Sequence, residues 1–349
     1  MSRTDPLLLD AARKLLRAVA DPQGRRGDGR DRRAVWQALE DHGLTRAWLP
    51  EAAGGAGASL ADGFAILTLA GEVALDVALA ETLLAGWLAA AAGLSVPDGA
   101  MAPAGTADEI ELDDDGLLWG RAIAVPFARE VDRLAVFGKG PDGDGFVALV
   151  DRTACSVEPR DNLAGEPRDT VIVDRVRPSA VATAGDDLGG RLRAIGAVAR
   201  ACQMAGALQG LLTRSVAYAG ERVAFDRPIG KFQAIQHALA RLAGEAAIAL
   251  AASGSAADAL ASGGDADGAF LEVASAKIRV GEAAAAGAAI AHQVHGAIGF
   301  SMEHPLHLFT RRLWAWRDDF GTESAWAVEL GAHVARRGAD ALWPMLAAR

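Results

Sequence analysis

Apolar positions recur with helical spacing from Leu7 to Leu94, lose that spacing between about Val96 and Val181, and regain it after Asp186. Recurrence at i, i+3 and i+4 lays an apolar stripe along a helix, whereas alternation places every second side chain on one face of a strand. In the first region Asp5-Pro6 supplies a helix start, and Ala34 to His42 (AVWQALEDH) is helical with Gly43 as its stop. Asp21-Pro22 and the GRRGDGRD that follows read as a flexible charged loop. The segment TRAWLPEAAGGAGASLADG is turn-rich, with Pro50 and a cluster at Gly54, Gly55 and Gly57, and it leads into an Ala/Leu-rich helix pair ending near Gly93.

The middle region shortens its period in DEIELDDDGLLWGRAIAV, RLAVFGKG, GFVALVD and DTVIVDRV. Asp115-Gly116, Asp142-Gly143 and Asp144-Gly145 separate these runs, as strand-turn-strand structure requires. Beyond it the pattern predicts long helices over 189–221, 232–262, 268–298 and 322–347, with connectors RVAFDRPIG, SGGDADG and HGAIGFSMEHP. The predicted fold class is therefore mostly α with a small β domain. Its domains are 1–95 (helical), 96–185 (β) and 186–349 (helical).

Composition narrows the function. A net charge of −10 over 349 residues opposes a general phosphate-backbone binder, so no nucleic-acid partner is expected. Two cysteines, Cys155 and Cys202, form neither a disulfide framework nor a zinc cluster and suit a reducing cytoplasm. The N-terminus MSRTDPLLLDAARKLL lacks a signal-peptide core, and Asp5 and Asp10 are foreign to a transit sequence. The Ala-rich run from Ala74 to Leu94 carries Asp76 and Glu81, so no membrane span is expected. Glu303, His304 and His307 are interrupted by Pro305, and no metal site is expected there. His237, His292 and Trp314, Trp316, Trp326 and Trp343 read as core or interface residues.

Three ordered motifs carry a resemblance over nearly the whole chain. WQALEDHGLTRAWLPEAAGGAGASLADG is similar to the helix, turn and PE-x-x-GG-x-G segment of the N-terminal domain of acyl-CoA dehydrogenases. GERVAFDRPIGKFQAIQHALARLA resembles the start of their C-terminal bundle, and QVHGAIGFSMEHPLH followed by FGTES resembles their flavin-contacting turns. The resemblance implies a helical N-terminal domain, a middle β-barrel-like domain and a C-terminal four-helix bundle. It also implies FAD as cofactor, an acyl-CoA substrate, an oligomer, and electron-transfer flavoprotein as electron acceptor.

By the same match Arg222 would bind the pyrophosphate, Phe225 would face the adenine end, and Gln233 would bond the cofactor. Gln293, His295, Gly296 and Gly299 would be contributed across a dimer interface, and Thr322 would bond the ribityl or adenosine part. Read from the residues alone, Arg222 equally suits a surface pair with Glu221 or Asp226. Ala297 stands where the family often has a second glycine.

Dehydrogenation of an acyl thioester needs a base for the α-proton and an acceptor for the β-hydride. Many family members carry that base as a glutamate immediately before the Gly-Thr turn, where this chain has Phe320. The alternative helix position falls in Leu212 to Ser215, which holds no carboxylate. Asp319 is the nearest substitute and Glu323 the second. Asp318 and Asp319 equally suit pairing with Arg311, Arg312 or Arg317, or capping the helix near Thr322. The family's Thr-Glu-Pro, Ala-Gly-Ser and Trp-Ile-Thr-like segments are replaced by MAPAGTADE and GRAIAVPFARE, and no substrate arginine is matched around Gly196 to Val198.

The function expected is FAD-dependent α,β-dehydrogenation of an acyl-CoA thioester. It would be carried out alone or as one subunit of a heteromer with a fuller chain. The alternative is a non-catalytic structural or regulatory subunit of the same fold, and an unrelated helical binding module is the third.

Overall fold

Asp5 starts the first helix as its sequence predicts, its side chain accepting from the N–H groups of Leu7 and Leu8 with Pro6 in the first turn. The computed structural model describes residues 4–20, 32–105, 110–185, 187–263 and 266–347; the charged loop expected over 21–31 lies outside them. Helices α1 (Pro6–Val19), α2 (Arg32–Asp41), α3 (Leu60–Glu72) and α4 (Leu79–Ala91) make the N-terminal layer. Ser59 and Asp62 form a reciprocal capping box at the start of α3, and Asp62 also accepts the Asp5 N–H at 2.7 Å. One carboxylate thus fixes two helix starts together.

The β region holds β1 (Met101–Ala104), β2 (Ile110–Leu112), β3 (Leu118–Pro126), β4 (Arg133–Lys139) and β5 (Gly145–Asp151). It continues with β6 (Ser156–Glu158), β7 (Arg168–Val176) and β8 (Ala180–Thr183). They form one eight-stranded sheet in the order β6-β7-β3-β2-β4-β5-β8, with β1 paired parallel to β4. Gly116 and Gly143 take positive φ at turns between paired strands, as the Asp-Gly signals predict. The β3–β7 ladder breaks register between Ala122 and Val125, a bulge in which Ala124 has φ +60°.

The C-terminal region opens with α5 (Leu188–Glu221), followed by the short hairpin β9 (Val223–Ala224) and β10 (Arg227–Pro228). Then come α6 (Gln233–Ala261), α7 (Ala266–His295), α8 (Leu306–Trp316), α9 (Glu323–Arg337) and α10 (Ala339–Ala347). The single helix expected over 322–347 is two, because Gly338 leaves the helix at φ +82° and stops α9. Helices α5, α6 and α7 pack on one another, α8 lies against α5 and α7, and α9 lies against α7.

The Ala/Gly richness has a physical use. A Cβ at Gly206 of α5 would stand 1.8 Å from the Thr68 carbonyl oxygen of α3, so the two backbones approach closer than any side chain permits. One apolar core joins the N-terminal helices to α5 and α7, and a second joins α4 to the sheet and α5.

Buried ions cross the same boundaries. Arg200 of α5 donates to Glu81 of α4 at 2.6 Å and to Asp319 at 2.8 Å. Arg312 of α8 donates to Glu166, which precedes β7, at 2.7 Å and to Asp76 at 2.9 Å. Glu166 also accepts from Trp316 Nε1 and Asn162 Nδ2, both at 3.0 Å. Its burial opposes ionisation, yet Arg312 and these donors hold its carboxyl below the usual range. Desolvation likewise opposes the Arg200 cation, and the carboxylates of Glu81 and Asp319 outweigh it. Losing one partner from such a pair leaves an uncompensated buried charge, which costs about 3–5 kcal/mol.

Candidate active site

A cavity of about 450 Å³ lies between the sheet and α5. Its helical wall is one face of α5, where Gly189, Leu192 and Arg193 fall at i, i+3 and i+4. The opposite wall is β1 and the bulged part of β3, including Pro103, Ile123 and Pro126. Phe137 of β4 lines it and rests against Gly189, where a Cβ would meet its ring at 2.9 Å. Phe320 also lines it and rests against Gly196, where a Cβ would meet its ring at 2.4 Å.

Phe320 stands on a turn held from several sides. It has φ +56°, and Gly321 beside it has φ +104°. Trp326 Nε1 donates to the Phe320 carbonyl at 3.0 Å, and Lys277 Nζ donates to the Arg317 carbonyl at 2.6 Å. Left-handed backbone at a bulky residue is strained, and such strain persists where surrounding bonds over-determine it.

Asp319 is 3% exposed, with one oxygen paired to Arg200 and the other to Arg168. It lines the cavity without presenting a free carboxylate. Its partners are not the arginines that sequence proximity suggests, since Arg312 goes to Glu166 and Asp76 and Arg317 goes to Glu323. Thr322 caps α9, its Oγ1 accepting from the Ala325 N–H at 3.2 Å.

The remaining expected cofactor residues gather at the other end of the bundle. The β9–β10 hairpin turns through Phe225 and Asp226 at φ +51° and +61°, a left-handed pair that leaves the Phe225 ring 88% exposed. Arg222 is exposed, and among the described residues its guanidinium makes no hydrogen bond or ion pair, with Glu221 and Asp226 included. Gln233, at the start of α6, is also exposed. Tyr218, one turn before Arg222 on α5, stacks on His295 with ring centroids 4.4 Å apart and donates from its hydroxyl to the His295 carbonyl at 3.3 Å.

His295 is 3% exposed, and its Nδ1 lies 2.8 Å from the Ala291 carbonyl. Burial lowers the pKa of its imidazole, which favours the neutral form. Beyond it, Gly296 turns with φ +63°, leaving Gln293 and Gly296 exposed while Gly299 is buried. A single chain therefore assembles two separate sets, the cavity turn with Asp319 and Thr322, and the bundle end with the other seven residues.

Sequence reasoning missed Arg168, Arg200, Tyr218 and the two glycines that seat the aromatic rings. Arg200 carries a signal, being a lone charge in the apolar stretch from Ala194 to Ala207. A charge there must have buried partners. The glycine spacing of seven on α5 is a second signal.

His292 and His295 each leave one ring nitrogen without a partner, and among the described residues no group of three His, Cys, Asp or Glu side chains is placed to hold a metal. Among them too, no helix is long and apolar enough to cross a membrane.

Helical layers against an eight-stranded sheet, with a cavity at their junction, are an architecture shared with known proteins. Residues 194–323 match the family model described as the C-terminal domain of acyl-CoA dehydrogenase. Acyl-CoA dehydrogenase IpdE2 of Mycolicibacterium smegmatis is 27% identical over 283 residues, 80% of each chain. The Tcur3481–Tcur3483 steroid ACAD, as a variant, superposes with a TM-score of 0.83 at 26% identity, covering 95% of this chain and 97% of that one. The ChsE4–ChsE5 complex from Mycobacterium tuberculosis gives a TM-score of 0.82 at 23% identity, over 94% and 96%, a likeness of fold. The chain belongs to the acyl-CoA dehydrogenase family, whose members are oxidoreductases.

Proposed function

We propose that this chain is one subunit of an FAD-dependent acyl-CoA dehydrogenase, lending a homologous partner the adenosine-diphosphate side of a composite site and leaving the base to that partner. The carrying observation is the pairing of Phe320 with Gly196: an aromatic ring occupies the base position, and α5 is shaped to receive it. The nearest carboxylate, Asp319, is committed to Arg168 and Arg200.

The bundle end fits the dinucleotide's polar half by its chemistry. Arg222 offers an unpaired guanidinium suited to a diphosphate, which it can grip through two parallel bonds. Phe225 offers an exposed face to a purine, and Gln233 and Gln293 offer amides. Gly296 lets backbone N–H groups come near without Cβ interference. His295 and Gly299, buried behind that turn, support its shape, and the Tyr218 hydroxyl holds the His295 carbonyl. When bound, FAD accepts the hydride from the β-carbon of the thioester. Thr322 is engaged as a helix cap, so its part toward the cofactor is secondary.

Two relatives whose names pair two chains support the heteromeric reading, and the steroid ACAD supports a bulky acyl group as substrate. Electron-transfer flavoprotein is the acceptor that family membership suggests. Two buried free thiols, Cys155 and Cys202, are raised to about 11 and about 12 by desolvation and suit a reducing cytoplasm.

The test is to record the visible spectrum of the purified chain, alone and with a homologous chain that carries the glutamate, while titrating acyl-CoA thioesters. The reading expects flavin bleaching only in the complex. Bleaching by the chain alone would make it self-sufficient, and no flavin in either preparation would favour a purely structural subunit.

A further inference from the structure

We propose that Tyr218 is a positioning residue for the diphosphate end of the bundle, one side chain that holds the Arg222 hairpin and the Gly296 turn at a fixed spacing. The proposal rests on the function proposed above, and it assigns Tyr218 no contact with the cofactor.

The two halves of that end come from distant parts of the chain. Arg222 and Phe225 belong to the hairpin that follows α5, and Gln293 and Gly296 lie where α7 ends. All four residues are exposed, so burial of their own side chains does not hold them in place. A ligand that bridges the halves gains fully from both only where their separation is set beforehand; otherwise binding must supply the ordering.

Tyr218 meets both halves. Its backbone carbonyl accepts from the Arg222 N–H at 2.8 Å, and the Arg222 carbonyl accepts from the Ile229 N–H at 2.8 Å across the base of the hairpin. A Cβ at Gly230 would stand 3.1 Å from the Ala219 carbonyl oxygen, so the segment after the hairpin also rides on this turn of α5. The Tyr218 side chain reaches the other half. Its ring stacks on His295 at an interplanar angle of 23°, and its hydroxyl donates to the His295 carbonyl at 3.3 Å. His295 is the last residue of α7, and the turn begins at Gly296.

His295 depends on this support. Its Nδ1 faces the Ala291 carbonyl at 2.8 Å, and a carbonyl only accepts, so the ring proton belongs on Nδ1. Nε2 is then a bare acceptor, buried without a hydrogen-bond partner. With one ring nitrogen bonded, the plane of the imidazole is set by the rings packed on it. Those are Tyr218 and His304, whose centroid lies 4.7 Å from that of His295. His304 also meets the Tyr218 ring edge-on at 6.0 Å. The three rings come from α5, the end of α7 and the segment before α8, and they tie these elements together.

The experiment titrates FAD into the complex of this chain with a homologous glutamate-bearing chain, read by flavin fluorescence. Tyr218→Leu removes the ring and the hydroxyl, and it is expected to weaken FAD binding about tenfold. Tyr218→Phe keeps the stack and loses the hydroxyl, with an expected loss of about threefold. Both changes are then made in the Arg222→Ala chain, where one of the two groups to be spaced is gone. There Tyr218→Leu is expected to cost no more than about threefold and Tyr218→Phe less than about 1.5-fold. A general loss of folded protein would instead lower affinity by the same factor in both backgrounds. If Tyr218→Leu does not fold, the Tyr218→Phe pair decides.

Wild-type affinity in the folded Tyr218 variants, or equal factors in the two backgrounds, would overturn the proposal and leave the diphosphate reading standing. Wild-type affinity in Arg222→Ala would overturn that reading and the proposal with it. So would a wild-type complex that binds no FAD.

Discussion

Phe320 and Gly196 are complementary: the ring rests where a Cβ on α5 would come within 2.4 Å of it. A base lost by drift would leave a gap or a misfit. Here the replacement ring is seated, its backbone carbonyl is bonded by Trp326, and its left-handed conformation is maintained by the bonds around it. The site is built around the aromatic ring. Gly196→Ala is therefore expected to cost about 1–3 kcal/mol by overpacking and to displace the ring. Urea unfolding measures the first effect and the position of the Phe320 ring in a crystal structure of the variant the second; wild-type values for both would remove the complementarity.

The Arg200 network predicts a larger loss. Arg200→Met leaves Glu81 and Asp319 buried without their shared cation, at an expected cost of about 3–5 kcal/mol in urea unfolding. A loss under about 1 kcal/mol would show that relaxation or water compensates these carboxylates.

Fold class was legible in the sequence because periodicity reports burial directly, and α5, α6 and α7 fall within a few residues of their expected bounds. Gly338 was misread as helix interior because a glycine there differs from a tolerated one only by its φ. The bundle-end residues were legible as a motif of close neighbours. The Asp319 partners were not, since Arg168 and Arg200 lie more than a hundred positions away and reach it only through the packing of β7 and α5. Phe320 was visible as an odd residue at the base position, but its seat on Gly196 needed coordinates.

Lys277 predicts a pH dependence. It is 1% exposed, and desolvation lowers its pKa from 10.5 to about 8, partly offset by Asp319 and Glu323. The folded chain thus releases this proton before the unfolded chain does. Between about pH 8 and 10.5 the unfolded state binds more protons, so the Lys277 contribution to stability rises with pH there, by roughly 3 kcal/mol in total. Below pH 8 the cost of the buried cation is fully present. Lys277→Met is expected to flatten this rise, read from unfolding midpoints across pH 8–10, a range of about two units within that window. An unchanged slope would contradict it.

Arg222 predicts loss of cofactor affinity without loss of fold. Its guanidinium is exposed and unpaired, so Arg222→Ala should leave the unfolding midpoint unchanged. A charge-assisted bond to a phosphate is worth about 1.5–3 kcal/mol, so FAD affinity of the complex should fall about ten- to a hundredfold. Arg222→Lys should restore only part of it, because an ammonium cannot make the two-pronged contact. Fluorescence titration of FAD reads both variants.

The central claim is that this chain does not supply the base. The most direct measurement is α-proton exchange of a saturated acyl-CoA in deuterated water, followed by proton NMR with FAD present. The account predicts no exchange with the chain alone, and exchange once a homologous chain bearing the glutamate is added. Exchange by the chain alone, abolished by Asp319→Asn in a variant that remains folded, would contradict it and make Asp319 the base.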